Sequence, residues 1–251
     1  MISIDLNSDT GEGIGMDAEV MPSISSANVA CGFHAGDPAI MRKTVRLALA
    51  AGVAVGAHPG LPDLPGFGRR EMPVTPQEVE DMVLYQIGAL AAIAQSEGVR
   101  QRHVKPHGAL YTMAAADRAL ADAIARAIAA FDGSLILFGL PASALIAAAE
   151  AAGLSTASEG FADRAYEPDG SLTPRSRPGA VIHETEFVVE RAVRLAVAGT
   201  IDAVDGSVLT LPVDTICIHG DTPGAAVLAR AVRAGLERVG IAIAPAAGRS
   251  R

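Results

Sequence analysis

Residues 2–9 read Ile2-Ser3-Ile4-Asp5-Leu6-Asn7-Ser8-Asp9, and the fold can be worked out from this stretch. Its apolar opening predicts a strand over 2–6, and Asp5, Asn7 and Asp9 fall on alternate positions. In extended backbone, alternate side chains share one side. One side of this segment therefore offers three polar groups, and in a barrel that side would be the lumen. A carboxylate buried there is costly unless it is paired or bound to a metal. The bland alternative is a turn-and-cap cluster at a strand end. The functional reading is favoured because strand-end carboxylates are where β/α-barrels do their chemistry.

Outward from this segment, short apolar runs alternate with longer helical patterns. Candidate strands lie at 2–6, 25–30, 53–57, 103–106, 135–138, 155–158 and 215–218. Candidate helices lie at 38–51, 76–97, 116–131, 142–152, 186–198 and 223–239. Asp37-Pro38, Thr75-Pro76 and Thr222-Pro223 each place a capping side chain before a first-turn proline. Gly52, Gly98, Gly153 and Gly199 stand where left-handed helix ends belong. Strands alternating with helices imply a parallel sheet, doubly wound or closed as a barrel. No Pro-, Ser- or charge-rich linker divides the chain, so residues 1–251 read as one domain, with 243–251 expected to be a poorly ordered tail. Two long loops, 59–74 and 160–178, are rich in Gly, Pro and Arg and read as lids over a site.

Composition narrows the partners. The net charge is −8 and Trp is absent, which argues against nucleic-acid binding. The longest uncharged run, 134–149, is broken by Gly139 and Pro141 and is too short to span a bilayer. No signal peptide is visible at the N-terminus, so a cytoplasmic protein is expected. Cys31 and Cys217 fit no zinc spacing and read as buried thiols.

Polar residues gather just after six of the seven candidate strands. They are Asp5, Asn7, Asp9 and Glu12; Asn28, His34 and Asp37; His58; Lys105 and His107; Glu159; and His219 and Asp221. The carboxyl ends of parallel strands form the active face of such folds. Lys105, one of two lysines, sits in an apolar strand between His103 and His107. It reads as a buried ammonium that holds an anion, as a base if its pKa falls, or as a structural ion pair with Asp5 or Glu159. Four strand-end histidines with several carboxylates suit acid–base chemistry or metal binding. His103 and His183 read as structural. Gly11-Glu12-Gly13-Ile14-Gly15 lacks dinucleotide-site spacing, and no phosphate loop of the GxxxxGK[ST] type occurs.

Taken together, the motifs resemble the LamB/YcsF family over essentially the whole chain. The blocks are Asp5-Leu6-Asn7-Ser8-Asp9 with Gly11-Glu12-Gly13, then the run from Ser26 to Pro38 containing Asn28, His34 and Asp37. Gly56-Ala57-His58-Pro59-Gly60 and Gly66-Phe67-Gly68-Arg69-Arg70 follow. Next come the run from Val104 to Tyr111, Glu159-Gly160-Phe161-Ala162-Asp163-Arg164, Pro174-Arg175 and His219-Gly220-Asp221. Ser8 stands where many relatives have Cys. The resemblance implies a distorted, deacetylase-like (β/α)7 barrel. It further implies ATP-dependent hydrolysis of the lactam 5-oxoproline (pyroglutamate) to L-glutamate, as the A-subunit of a 5-oxoprolinase with subunits B and C. On that view Asp5, Asp9, Glu12, Lys105, His107 and Glu159 are catalytic candidates. Asn7, Asn28, His34, His58, Arg69, Arg70, Asp163, Arg164, His219 and Asp221 are candidates for binding substrate or phosphate. Mg²⁺ or another divalent metal, if used, would fall to Asp5, Asp9, Glu12 or His58. The competing readings are a metal-dependent amidohydrolase or deacetylase, and a non-catalytic substrate-binding subunit.

Overall fold

A computed structural model of the protein describes residues 3–14, 16–218 and 224–249. In chain order the strands are β1 (Ser3–Thr10), β2 (Ser26–Ala30), β3 (Ala54–His58), β4 (Gln101–Val104), β5 (Ile136–Gly139), β6 (Ser155–Phe161), β7 (Thr200–Asp202), β8 (Val208–Thr210), β9 (Thr215–Ile218) and β10 (Ala242–Ile243). Strands β1 to β6 pair in sequence, all parallel, and β9 pairs with both β6 and β1. That last pairing closes a seven-stranded ring and removes the open edges of its sheet. The expected (β/α)7 barrel is the fold. Two further elements sit outside the ring: the antiparallel hairpin β7–β8, and β10, which adds in parallel to β1.

The helices are α1 (Asp17–Val20), α2 (Pro38–Ala51), α3 (Pro76–Ser96), α4 (Gly108–Ala116), α5 (Arg118–Asp132), α6 (Ala144–Ala151), α7 (Thr185–Ala198) and α8 (Ala225–Arg238). Their starts follow the sequence signals. Asp37 accepts from the Ala39 and Ile40 amides, and Thr75 with Glu78 forms a reciprocal capping box. Gly52 and Gly199 end α2 and α7 in the left-handed conformation. The Thr222-Pro223 cap lies outside the described residues. None of the described helices is long and apolar enough to cross a membrane.

Along β1, Ile4 and Leu6 are buried outward against the helices, which by alternation turns Asp5, Asn7 and Asp9 into the lumen. Leu6, Ala27, Val29, Val55, Ala57, Val104, Leu137, Ile216 and Ile218 belong to the single apolar layer between barrel and helices. Each large side chain fully buried there contributes about 1.5–3 kcal/mol. The core therefore wraps the barrel, and the interior is polar apart from a small apolar cluster of Ile136, Phe138 and Ala157.

Three boundaries differ from the sequence expectation. The helix expected at 116–131 is α5, and a further helix, α4, precedes it where none was expected; Asp117 stops α4 and caps α5 through the Ala119 and Leu120 amides. β6 continues beyond 158 to Phe161, which puts Glu159 inside the strand. The stretch expected as a loose tail is pinned as far as residue 249. Ile243 pairs with Ile4, Arg249 bridges Thr156, and Arg249 Nε lies 2.7 Å from Asp214 Oδ1.

Candidate active site

The lumen fills in layers from the amino ends of the strands upward. At the bottom, Asp5 is held by three hydroxyls: Ser25 (2.6 Å) and Ser26 (2.7 Å) donate to Oδ1, and Thr215 (2.6 Å) donates to Oδ2. Burial pushes its carboxyl up to about 6, against the lowering effect of those donors. Above it, Asn7 Nδ2 donates to Glu159 Oε1 (2.9 Å) and Thr215 Oγ1 (2.7 Å). Asn28 Nδ2 donates to Asn7 Oδ1 (2.7 Å) and Asp9 Oδ1 (2.9 Å). His103 Nε2 donates to Asn28 Oδ1 (2.7 Å), and its ring stacks on Phe138 with centroids 4.3 Å apart. Burial first, then the Lys105 charge, lowers His103 to about 3, so it is a neutral structural member of the network.

Lys105 occupies the next layer. Its Nζ lies 2.9 Å from Asp9 Oδ1, 3.0 Å from Glu159 Oε1, 3.0 Å from Cys217 Sγ and 3.3 Å from Asn7 Oδ1. Burial alone would lower this ammonium, but Asp9, Cys217 and Glu159 hold its pKa well above the ordinary value. The lowered pKa on which a base role for Lys105 would depend is therefore not seen; its neighbours favour the ammonium. Its ion-pair partners are Asp9 and Glu159, and Asp5 sits in the hydroxyl cage below.

At the carboxyl ends of the strands, Glu12, His34, His58 and His107 converge. One ligand atom from each lies within 4.8 Å of all the others. His58 Nδ1 donates to the Lys105 carbonyl (2.7 Å), and His107 Nε2 donates to the Phe67 carbonyl (2.8 Å). His58 Nε2 then faces His107 Nδ1 at 2.9 Å. The His34 ring stacks on His107 at 3.8 Å and 4°, with its Nε2 3.6 Å from Glu12 Oε1. Burial, before any neighbouring charge, holds His34 and His107 well below the usual imidazole range. The lid loop supplies Phe67 in the left-handed region (φ 56), a strained setting for an aromatic residue. Gly68 beside it (φ 63) leaves room for His34, whose Cβ would lie 2.6 Å from a Cβ at position 68.

Of the four metal candidates read from the sequence, Glu12 and His58 are in this cluster. Asp9 adjoins it, with Oδ2 3.4 Å from His58 Nε2, and Asp5 lies layers away. His34 and His107, assigned other roles in the sequence reading, complete the set of possible ligands.

A cavity of about 420 Å³ opens over Lys105, Asp9, His58 and His107. Arg69, Arg164 and Arg175 line it, with Glu71, Tyr111, Phe161 and Thr173. Arg69 lies over the Phe67 ring at 4.9 Å. Arg164 is fixed by the Ala180 and Thr173 carbonyls, at 3.1 and 2.6 Å. Burial and then the Arg175 charge bring Arg164 down to about 10, still cationic. Asp163 is buried and acts electrostatically on Arg164. Arg70 turns away from the cavity to pair with Asp63. His219 and Asp221 lie outside the described residues. Tyr111, Phe161, Thr173 and Arg175 were not singled out as site residues from the sequence. They come from helix α4, the end of β6 and the second lid loop, where no strand-end polar residue flags them.

The LamB/YcsF family model matches residues 4–251. The 5-oxoprolinase A-subunit of Tolumonas auensis is 55% identical over 248 residues, covering 97% of this chain and 99% of that one. The Bacillus subtilis protein of that name is 51% identical over 248 residues, covering 97% and 96%. Among solved structures, a lactam utilization protein from Thermus thermophilus matches at a TM-score of 0.91 and 50% identity, covering 97% and 99%. A polysaccharide deacetylase from Bacillus cereus matches at 0.54 and 12% identity, covering 97% and 91%, a likeness of fold alone. This chain belongs to the LamB/YcsF family.

Proposed function

We propose that the chain opens the ring of 5-oxoproline to give L-glutamate, working within an ATP-dependent 5-oxoprolinase that includes subunits B and C. The observation that supports this best is the cavity itself. It is small, it sits over a buried ammonium, and three arginines line it. A five-membered lactam acid is small and anionic, and bidentate guanidinium contacts suit its carboxylate. The relatives' names, lactam utilization protein and 5-oxoprolinase A-subunit, point to the same substrate class.

A lactam is an unreactive amide, so activation by ATP is the economical route. Transfer of the terminal phosphoryl group to the lactam carbonyl oxygen releases ADP and leaves an activated carbon. Water adds to that carbon and the C–N bond breaks as nitrogen takes a proton, which leaves an acyl phosphate at the opened carboxyl; a second water hydrolyses it to glutamate and inorganic phosphate. In this scheme Lys105 stabilises charge developing on oxygen. Asp9, between Lys105 and His58, accepts the proton of the attacking water. Arg164 and Arg175 hold the substrate carboxylate. The chain has no phosphate loop, so subunits B and C help to present the nucleotide.

The test is glutamate and ADP release from 5-oxoproline, with and without ATP and Mg²⁺, by this chain alone and with subunits B and C. Matched, ATP-dependent release in the full mixture is expected, with KM raised in Arg175→Ala. Glutamate formed without ATP would instead favour the metal-dependent amidohydrolase reading, to which the His/Glu cluster lends weight. No glutamate under any condition removes the proposal.

A further inference from the structure

We infer that Glu12, His34, His58 and His107 form a binding site for a single borderline transition-metal dication of the Zn²⁺, Fe²⁺ or Co²⁺ type, distinct from any nucleotide-bound Mg²⁺. The first argument is a count of ring protons. His58 commits its Nδ1 proton to the Lys105 carbonyl, and His107 commits its Nε2 proton to the Phe67 carbonyl. In neutral rings, His58 Nε2 and His107 Nδ1 then each present a lone pair, and they face one another at 2.9 Å. Two lone pairs held that close repel unless a cation takes both. The carbonyl contacts are those that fix the tautomer of metal-bound histidines elsewhere.

The second argument is independent. His34 is 1% exposed, yet among the described residues neither of its ring nitrogens makes a hydrogen bond. Burying a polar ring without partners is expensive. Its Nε2 instead points toward Glu12 Oε1 at 3.6 Å, and that same oxygen lies 3.7 Å from His107 Nδ1. Tetrahedral coordination at bonds of ~2.0–2.1 Å places neighbouring ligand atoms about 3.3 Å apart. The separations of 2.9, 3.6 and 3.7 Å bracket that value. The widest pair, within 4.8 Å, closes by small side-chain rotations.

The donor set selects the ion. Three imidazoles and one carboxylate suit Zn²⁺, Fe²⁺ or Co²⁺, whereas Mg²⁺ prefers an all-oxygen octahedron. Asp9 lies just outside the set, with Oδ2 3.4 Å from His58 Nε2, and adds negative charge beside the ion. A bound ion would supply Lewis acidity at the inner wall of the cavity. The inference concerns these four residues alone and stands whatever the cavity's substrate.

The experiment is metal analysis of the full chain as purified, followed by Co²⁺ titration of the chelator-stripped protein. Stoichiometry is read by mass spectrometry and geometry by visible ligand-field bands. About one equivalent with bands of a tetrahedral or five-coordinate N/O site is expected. Glu12→Gln, nearly isosteric, and His34→Ala should each weaken Co²⁺ binding by more than the ~10–100-fold that losing an outer partner costs. The exposed His183→Ala is the control and should bind as the unmodified chain does. Circular dichroism confirms that each variant is folded, and if His34→Ala is not, Glu12→Gln decides alone. No Co²⁺ binding, octahedral all-oxygen bands, binding unchanged in Glu12→Gln, or loss caused by His183→Ala would each overturn the assignment.

Discussion

Replacing Lys105 with Met keeps the length of the side chain and removes its charge from between Asp9 and Glu159. Lys105 is 3% exposed, and the Asp9 and Glu159 side chains are 9% and 0% exposed. Removing one partner of a buried pair costs about 3–5 kcal/mol, because the other charge is left uncompensated. The two pairs share one ammonium, so their costs do not add. For a chain of this length, such a loss lowers Tm by roughly 6–20 °C. The pH dependence gives a sharper signature. In the unmodified chain the raised Lys105 pKa contributes stability at all pH values below the ordinary lysine range. It is lost only as pH rises through the folded value. Without the lysine, Asp9 and Glu159 lose the ammonium between them, a cost that falls on their ionised forms. The variant's penalty is then small near pH 4 and grows as pH increases. Urea unfolding at about pH 5 and about pH 8 should show the larger deficit at the higher pH. Glu159→Gln in the Lys105→Met background should recover part of it by removing one buried charge. A deficit near pH 8 below about 1 kcal/mol, the scale of an exposed pair, would refute this account of the lumen.

Gly56→Ala would place a Cβ 2.2 Å from the His103 ring, which its bond to Asn28 and its stack on Phe138 hold in place. Overpacking of this kind costs about 1–3 kcal/mol, readable as a lower urea midpoint at constant m; a change within about 0.5 kcal/mol would mean the ring yields freely. Asp5, raised to about 6 from 3.8, keeps its proton longer when folded than when unfolded. Its ionisation therefore costs nothing below about pH 4 and about 3 kcal/mol above its folded value. Stability of the unmodified chain should fall between those limits relative to Asp5→Asn, and parallel pH profiles of the two proteins would contradict the burial effect.

Much of this arrangement was legible from β1. Alternation of Asp5, Asn7 and Asp9 within an apolar run identifies a polar lumen, because strand geometry leaves the intervening Leu6 to the outer core. The strand-end rule also located Lys105, His58 and His107. It could not rank them by depth, since depth follows from inter-strand register. Thr215 pairs with both Asp5 and Glu159 across the closure, a relation between residues far apart in sequence. Asp5 and Asp9 look equivalent in the sequence, yet one lies in a hydroxyl cage and the other meets the ammonium. Helix α4 escaped notice because Ala109, Leu110, Tyr111 and Ala114 bury several of its faces, which erases the amphipathic period. Arg70 was read with Arg69 from one motif, but the local turn sends it back to Asp63, out of the cavity.

The layering bears on how the site can be tested. Lys105, Asp9 and Glu159 belong to one buried network, so loss of activity in any of their variants mixes damaged chemistry with damaged folding. The Glu12–histidine cluster is joined to that network at a few contacts, through the Lys105 carbonyl to His58 and through Asp9. Metal binding and lumen stability should then respond to different substitutions. Arg69 and Arg175 stand at the cavity mouth on lid loops, with Arg69 exposed and Arg175 half-buried. Truncating either removes cationic charge without opening the core. Substrate recognition is therefore best measured at the rim, where a change in KM can be read without a matching change in Tm. A rim variant that lowered kcat and Tm together would show instead that the lids help to hold the barrel closed.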